Sequence, residues 1–328
     1  MLARALRLIL LGELGVYAAL GAVLVLSQDW TWRDAMLLGA ILWLWLRASL
    51  VALTFVLSRA WGTASLPPPL GILGRVRLML EEYLAFIALF SLIQPFEHWF
   101  MGPDRLRRLR PEERPVLLVH GYVCNRGVYW WLRRRLEEAG YCVATVTLEP
   151  VLGGVERCVE SLRRRIEEVC TTTGAKQLVL VAHSMGGLVA RAYLRDHGAA
   201  RLARVITVAT PNQGSRLARL GIGKNALDML PGSAWLAALN ADPVTAIGVT
   251  AMGSAYDTFV IPHPNQMLPK GDDRSLPPVG HLAQAFSEHA LRELVRVVEE
   301  VGNEASGSRH SNEQARVVTT GHYGAPEG

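Results

Sequence analysis

The sequence has no C-x-x-C pair, no glycine-rich phosphate loop, no dinucleotide fingerprint and no H-E-x-x-H helix. Its four cysteines, Cys124, Cys142, Cys158 and Cys170, have neither zinc-site nor dithiol-redox spacing, so no cofactor and no metal is expected. They read as buried thiols, with one disulfide left open. Charged residues are also few, at 19%, and the net charge is only +5. That small excess is not gathered into the basic and aromatic stripes of a nucleic-acid binder, so nucleic acid is not an expected partner. Half of the 328 residues are hydrophobic and the mean hydropathy is +0.21, which excludes a disordered chain, a collagen and a small disulfide scaffold.

The apolar excess lies in front. Leu6 to Leu26 reads LRLILLGELGVYAALGAVLVL, with Glu13 its single acid, and Ala35 to Leu57 reads AMLLGAILWLWLRASLVALTFVL, with Arg47 its one costly residue. Each run reaches the roughly 20 residues that a helix needs to cross a bilayer. Trp30 and Trp32 sit in the short connection, where interfacial indoles are expected. A cleaved signal peptide accounts for the first run alone and lacks a small-residue cleavage site, so residues 1–60 are read as a two-helix transmembrane anchor, with a buried core hairpin as the alternative.

Residues 61–114 read as a linker. After the proline loop SLPPPLG, the segment Leu78 to Phe100 has a clean apolar stretch of about 11 residues, short of a confident span, and is read as an interfacial or protein-packed helix. Five arginines follow between Arg105 and Pro115, either a solvated linker or a basic collar for anionic head groups. Arg4 and Arg7 at the start of the first run, with Arg59, Arg75 and Arg77 after the second, put both the start and residues 115–301 on the cytoplasmic side under the positive-inside bias. The expected location is a bacterial inner membrane, multi-pass; a third crossing at 78–100 would instead turn the later domain outward.

From Val116 strand and helix signals alternate. VLLVHG, YCVATVTL, QLVLVA and RVITVAT read as strands, and Val155 to Cys170 carries apolar residues at helical spacing. A last strand near Val249 and a last helix, Ser287 to Val301, close a mostly parallel sheet with helices on both faces. The polar, aperiodic residues 302–328 read as a disordered tail.

The strongest chemical signal is VAHSMGG, Val181 to Gly187, between an apolar strand and an amphipathic helix. A serine nucleophile needs a sharp strand-to-helix turn, and small residues two before and two after it, here Ala182 and Gly186, allow the close approach. With LLVHGY (117–122), TPNQGS (210–215), SAYDTFVIP (254–262) and VGH (279–281), the chain resembles the lipase- and esterase-like branch of the α/β-hydrolase family that has an A-H-S-M-G-G elbow. The resemblance covers roughly Pro115 to Val301 and leaves the apolar front unmatched.

It implies an α/β-hydrolase fold with Ser184 as nucleophile, Asp257 as acid and His281 as base, in that family's chain order. Asp228, Asp242, Asp272 and Asp273 compete for the acid, and His263 and His289 for the base. The resemblance supplies oxyanion donors as the backbone N–H groups of Tyr122 and Met185, and makes His120 and His183 structural. Residues 212–242 break the repeating pattern as a lid of two short helices, from which Leu220, Leu227, Met229, Leu230, Trp235 and Leu236 are expected to line an acyl surface, unless those helices only pack on the core. The implied activity is a membrane-anchored carboxylic ester hydrolase acting on lipid or other hydrophobic acyl esters through an acyl-enzyme. An acyltransferase or amidase on the same fold, and a non-enzymatic scaffold or transport component, are the alternatives.

Overall fold

The computed structural model describes residues 1–62, 67–242, 248–268 and 271–302. The tail beyond Gly302 lies outside the described residues. Two long helices come first, α1 (Leu2–Ser27) and α2 (Trp32–Trp61), and both are long and apolar enough to cross a membrane. At 1.5 Å per residue they measure about 39 and 45 Å. Thr31 accepts a hydrogen bond from the Asp34 N–H and so starts α2 after a four-residue connection.

The hairpin is antiparallel, with Gly21 against Ala35 near its turn and Glu13 against Arg47 halfway along. The Arg47 guanidinium grips both Glu13 oxygens, 2.6 Å from Nη2 to Oε2, and lies 4.1 Å over the Trp43 ring. Tyr17 donates to the same carboxylate at 2.7 Å. The two charges that look costly in separate runs therefore cancel each other, and the outer surface left over is apolar, including Leu8, Ile9, Leu14, Ile41 and Trp45.

Helix α3 (Ile72–Ile87) packs along α2 and runs on through a π-helical turn at Ala88–Ile93. One face is exposed and apolar, with Ile72, Leu73, Val76 and Leu80. The other enters the core beside the sheet through Ala85, Leu89 and Ile93. A short α4 (Glu97–Met101) follows. The arginine tract after it is extended; Arg107 and Arg110 hold Glu113, and the buried Asp104 just before it gathers Arg126, Arg133 and Arg165.

The remaining elements are β1 (Val116–Val119), α5 (Trp130–Glu138), β2 (Val143–Val146), α6 (Val155–Thr173), β3 (Leu178–His183), α7 (Met185–His197), β4 (Leu202–Val208), α8 (Lys224–Asp228), α9 (Ala234–Ala241), β5 (Val249–Ser254), β6 (Asp272–Leu276) and α10 (288–302). All strands pair in parallel, in the order β2-β1-β3-β4-β5-β6. Parallel strands need crossovers, and the crossover helices cover both faces, which is why the inner strands read as unbroken apolar runs. Within β1, Leu117 and Val119 face a core built with α6 and α7, while Val116 and Leu118 face one built with α3, α5 and α10.

Two expectations are corrected, and the reading of the cysteines as buried thiols is borne out. The strand at Val249 is followed by another, β6, which takes in Asp272 and Asp273; its DDRSL sequence lacks an apolar face because it is an exposed edge strand. The stretch at 212–242 holds three helical pieces rather than two, a 3-10 turn at Arg216–Leu220 preceding α8 and α9. All four cysteines are free and buried.

Replacing Arg47 by Leu leaves the half-buried Glu13 carboxylate without its cation, with only the Tyr17 hydroxyl on it. A loss of about 3–5 kcal/mol is expected, largely restored in the double Leu variant at 13 and 47, as measured by unfolding in detergent micelles.

Candidate active site

Ser184 stands at the end of β3, before the first turn of α7, with φ of 54° and ψ of −130°. A non-glycine residue with positive φ is strained, and strain of this kind persists only where the surroundings enforce it. Here the Ser184 N–H donates to Val208 O at 2.8 Å, and Gly186 lets the helix start press on β1: a Cβ there would lie 2.5 Å from His120 O. Ala182 is fully buried between them.

Asp257 and His281 come from the loops after β5 and β6. The His281 Nδ1 donates to Asp257 Oδ2 at 2.8 Å, and both side chains are almost wholly shielded from solvent. The other Asp257 oxygen accepts from the N–H groups of Phe259 and Val260, and Gln284 Nε2 donates to Oδ2 at 3.1 Å. Burial opposes the Asp257 charge, but the facing imidazole and these donors outweigh it and hold the carboxyl below its ordinary range. For His281 burial disfavours the cation, and the charge and hydrogen bond of Asp257 reverse the balance, raising the imidazole above 6.5. Its ring stacks on Phe259 at 4.8 Å and its carbonyl accepts from His183 Nε2 at 3.2 Å.

Ser184 and His281 line one cavity of about 240 Å³, whose walls include Phe90, Val128, Leu217, Leu220, Met229 and Val260. Gly121 abuts the serine, since a Cβ there would meet Ser184 Cβ at 2.7 Å. The amides of Tyr122 and Met185, which follow Gly121 and Ser184 in the chain, make no backbone hydrogen bond among the described residues. The Tyr122 hydroxyl clasps Ile222 through both its O and N, which ties this loop to the lid.

The other candidates fall elsewhere. His263 lines a separate groove beside the end of α2, and His289 one beside α3. Asp228 accepts from the Val155 N–H at the start of α6, Asp272 pairs with Arg274, Asp273 accepts from the Leu268 N–H, and Asp242 is exposed. His120 accepts from the Leu148 N–H at Nε2, and burial pulls its imidazole down to about 4. His183 is likewise pulled down to about 3 by burial. Of the expected lid contacts, Leu220 and Met229 line the cavity, whereas Leu227, Leu230, Trp235 and Leu236 do not. Leu236 turns into the core under α7, Trp235 donates to Glu156, and Leu227 points to solvent.

Residues missed by sequence reasoning surround the site. Ser215, the end of TPNQGS, donates to Phe259 O and accepts from the Ile261 N–H, fixing the loop that bears Asp257. Glu82, Phe90 and Gln94 arrive from α3 and its π-helical end. Their signal in the sequence was polar residues bracketing an apolar helix, with no motif to tie them to residues 200 positions away.

Residues 114–234 match the family model described as the alpha/beta hydrolase fold. The mature lipase BlEst2 of Bacillus licheniformis superposes with a TM-score of 0.52 at 16% identity, covering 60% of this chain and 96% of that one. The fold is that of the α/β hydrolases. Two curated relatives are triacylglycerol lipases: the one from Pseudarthrobacter phenanthrenivorans is 32% identical over 112 residues, and the one from Pseudomonas fragi 28% identical over 172. The match covers 32% and 48% of this chain, and 35% and 58% of those relatives, so the chain spans about a third to somewhat over half of their length. These likenesses support a lipase- or esterase-like hydrolase.

Exchanging Asp257 for Asn keeps the shape and removes the charge that raises His281. The acid limb of the kcat/KM profile is expected to move to lower pH, with kcat down by roughly 10³–10⁴. Initial rates on a soluble ester between pH 5 and 9 give both.

Proposed function

We propose that the protein is a membrane-anchored serine hydrolase of hydrophobic carboxylic esters, with Ser184 as nucleophile, His281 as general base and Asp257 as orienting acid. The observation that carries this reading is the buried 2.8 Å His281–Asp257 bond, at the wall of the cavity that also holds the strained Ser184. The Ser184 hydroxyl attacks the acyl carbon as its proton passes to His281. The amides of Tyr122 and Met185 receive the oxyanion. His281 then protonates the leaving alcohol, and water releases the acid from the acyl-enzyme by the reverse proton path. Asp257 keeps the Nδ1 proton in place and stabilises the cation. Since only neutral His281 accepts the serine proton, activity falls as pH drops through its raised pKa.

Lipid is favoured as the acyl source for two reasons. The cavity wall is mostly carbon, and the lid exposes Leu220 and Ile222. The site is also tied to the base of the hairpin: Arg216 of the lid donates to Trp61 O at 2.6 Å, and Thr258, next to Asp257, lies 3.3 Å from Thr54. A volume near 240 Å³ is below the ~300–1,000 Å³ of drug-sized pockets and suits short to medium acyl chains. With α1 and α2 crossing the membrane, the positive-inside bias sets the start and the hydrolase unit on the cytoplasmic side.

Ser184→Ala should lower ester turnover by as much as ~10⁶, with His281→Ala and Asp257→Ala severely impaired and His263→Ala near wild type. An active Ser184→Ala enzyme, or a dead His263→Ala with an active His281→Ala, overturns the assignment. For sidedness, a fluorescent protein that folds only in the cytoplasm, placed at the C-terminus of the whole chain, is expected to be lit; a dark fusion on an inserted chain means an exported catalytic unit.

A further inference from the structure

The carboxylate of Glu82 is fully buried, yet no arginine or lysine pairs with it among the described residues. It accepts instead from backbone amides: Leu282 N–H at 3.0 and 3.1 Å to its two oxygens, and Ala283 N–H at 3.0 Å. These are the two residues that follow His281. Gly280, the residue before it, is packed so closely that a Cβ would lie 2.3 Å from Glu82 Oε2. The same turn is held from its far side by Asp257, to which Gln284 donates. His281 is therefore fixed between two carboxylates, Asp257 at its ring and Glu82 at its backbone.

Glu82 does not come from the hydrolase unit. It belongs to α3, which packs along α2, and the same helix reaches the site twice more. Phe90 lines the acyl cavity, and Gln94, also fully buried, accepts from the Asn125 N–H at 2.9 Å and takes the Asn125 side-chain amide on its carbonyl at 3.0 Å. Asn125 lies three residues past Tyr122. One helix thus holds the loop of the base, a wall of the cavity and the loop of the oxyanion donor.

We propose that Glu82 is a positioning residue for ester hydrolysis, and that the segment before the hydrolase unit completes the active site by fixing the His281 loop through it. The proposal rests on the triad reading above. Leaving a buried carboxylate with only amide donors is costly: burial raises Glu82 to about 7 despite them. Its two oxygens are the acceptors for the amides that follow His281, and what they do in the fold is hold that loop. The titratable groups that face it are His281 and Asp257. Farther out, the groove along α3 carries Glu81, Glu288, His289 and Arg292. Above about pH 7, where it is ionised, Glu82 adds to the negative field at His281 and helps to raise it.

The test is Glu82→Gln in the full-length protein, with Glu82→Asp beside it. Glutamine has one acceptor oxygen where two are used, and its NH₂ faces an amide donor. A loss of roughly 10- to 100-fold in kcat is expected with KM within about threefold, because the base is displaced while the cavity is kept. With the negative charge gone, the acid limb of kcat/KM should also move to lower pH. Aspartate keeps the charge and is expected to recover part of kcat with the limb unmoved. Wild-type kcat and profile in Glu82→Gln overturn the proposal, as does a loss with the same limb in both variants, which marks a merely structural group. Should Glu82→Gln not fold, Gly280→Ala, which drives the carboxylate off the amides, takes its place: the same kcat loss supports the proposal and full activity overturns it. Ser184→Ala, run alongside, separates the two readings. If it stays active the triad itself is wrong; if it is dead while Glu82→Gln matches wild type, only the role of Glu82 is.

Discussion

A buried imidazole facing a buried carboxylate needs hydrogen-bond partners for the carboxylate's remaining lone pairs and for the backbone of the loops that carry the pair. Around Asp257 and His281 that condition dictates the local structure. The acid needs Phe259 and Val260 amides and the Gln284 side chain; the histidine needs His183 on its carbonyl and Glu82 on the amides after it. The partners come from the Asp257 loop itself, the turn after His281, the end of β3 and α3. The parallel sheet makes this assembly feasible, because its strands all end at one edge, where open α/β folds gather their chemistry. Ser184 after β3, Asp257 after β5 and His281 after β6 meet at that edge.

The apolar front obeys the same rule. Glu13 and Arg47 are each unfavourable in a hydrocarbon environment, and they are brought level by an antiparallel hairpin with a short turn. Their pairing fixes the register of α1 on α2, as an interfacial polar contact does in helical bundles. The base of that hairpin then touches the lid and the acid loop, through Trp61 with Arg216 and Thr54 with Thr258.

Much of this was legible in the sequence because local rules carry it. The elbow at Ser184 needs small neighbours at fixed offsets, the buried strands need unbroken apolar runs, and α6 displays its buried stripe. Asp257 and His281 were readable through a family resemblance, since nothing in composition distinguishes Asp257 from Asp228 until one is seen at His281 and the other at the start of α6. The edge strand β6 was missed because an exposed strand need not alternate. Leu227, Leu230, Trp235 and Leu236 do not line the cavity as expected, because an apolar residue in such a stretch serves a cavity, a core or neither, and only packing decides which. Glu82 and Gln94 were invisible as site residues: their partners are backbone amides and an asparagine far along the chain, and backbone groups leave no trace in a sequence.

The most direct examination is to treat the full-length protein with a serine-directed phosphonate across pH and to map the adduct by mass spectrometry. One adduct, on Ser184, is expected, forming at a rate that rises as a group with a pKa above 6.5 loses its proton and that collapses in His281→Ala. No adduct on the folded protein, an adduct on another serine, or a labelling rate indifferent to pH and to His281 would contradict a serine hydrolase built on this triad.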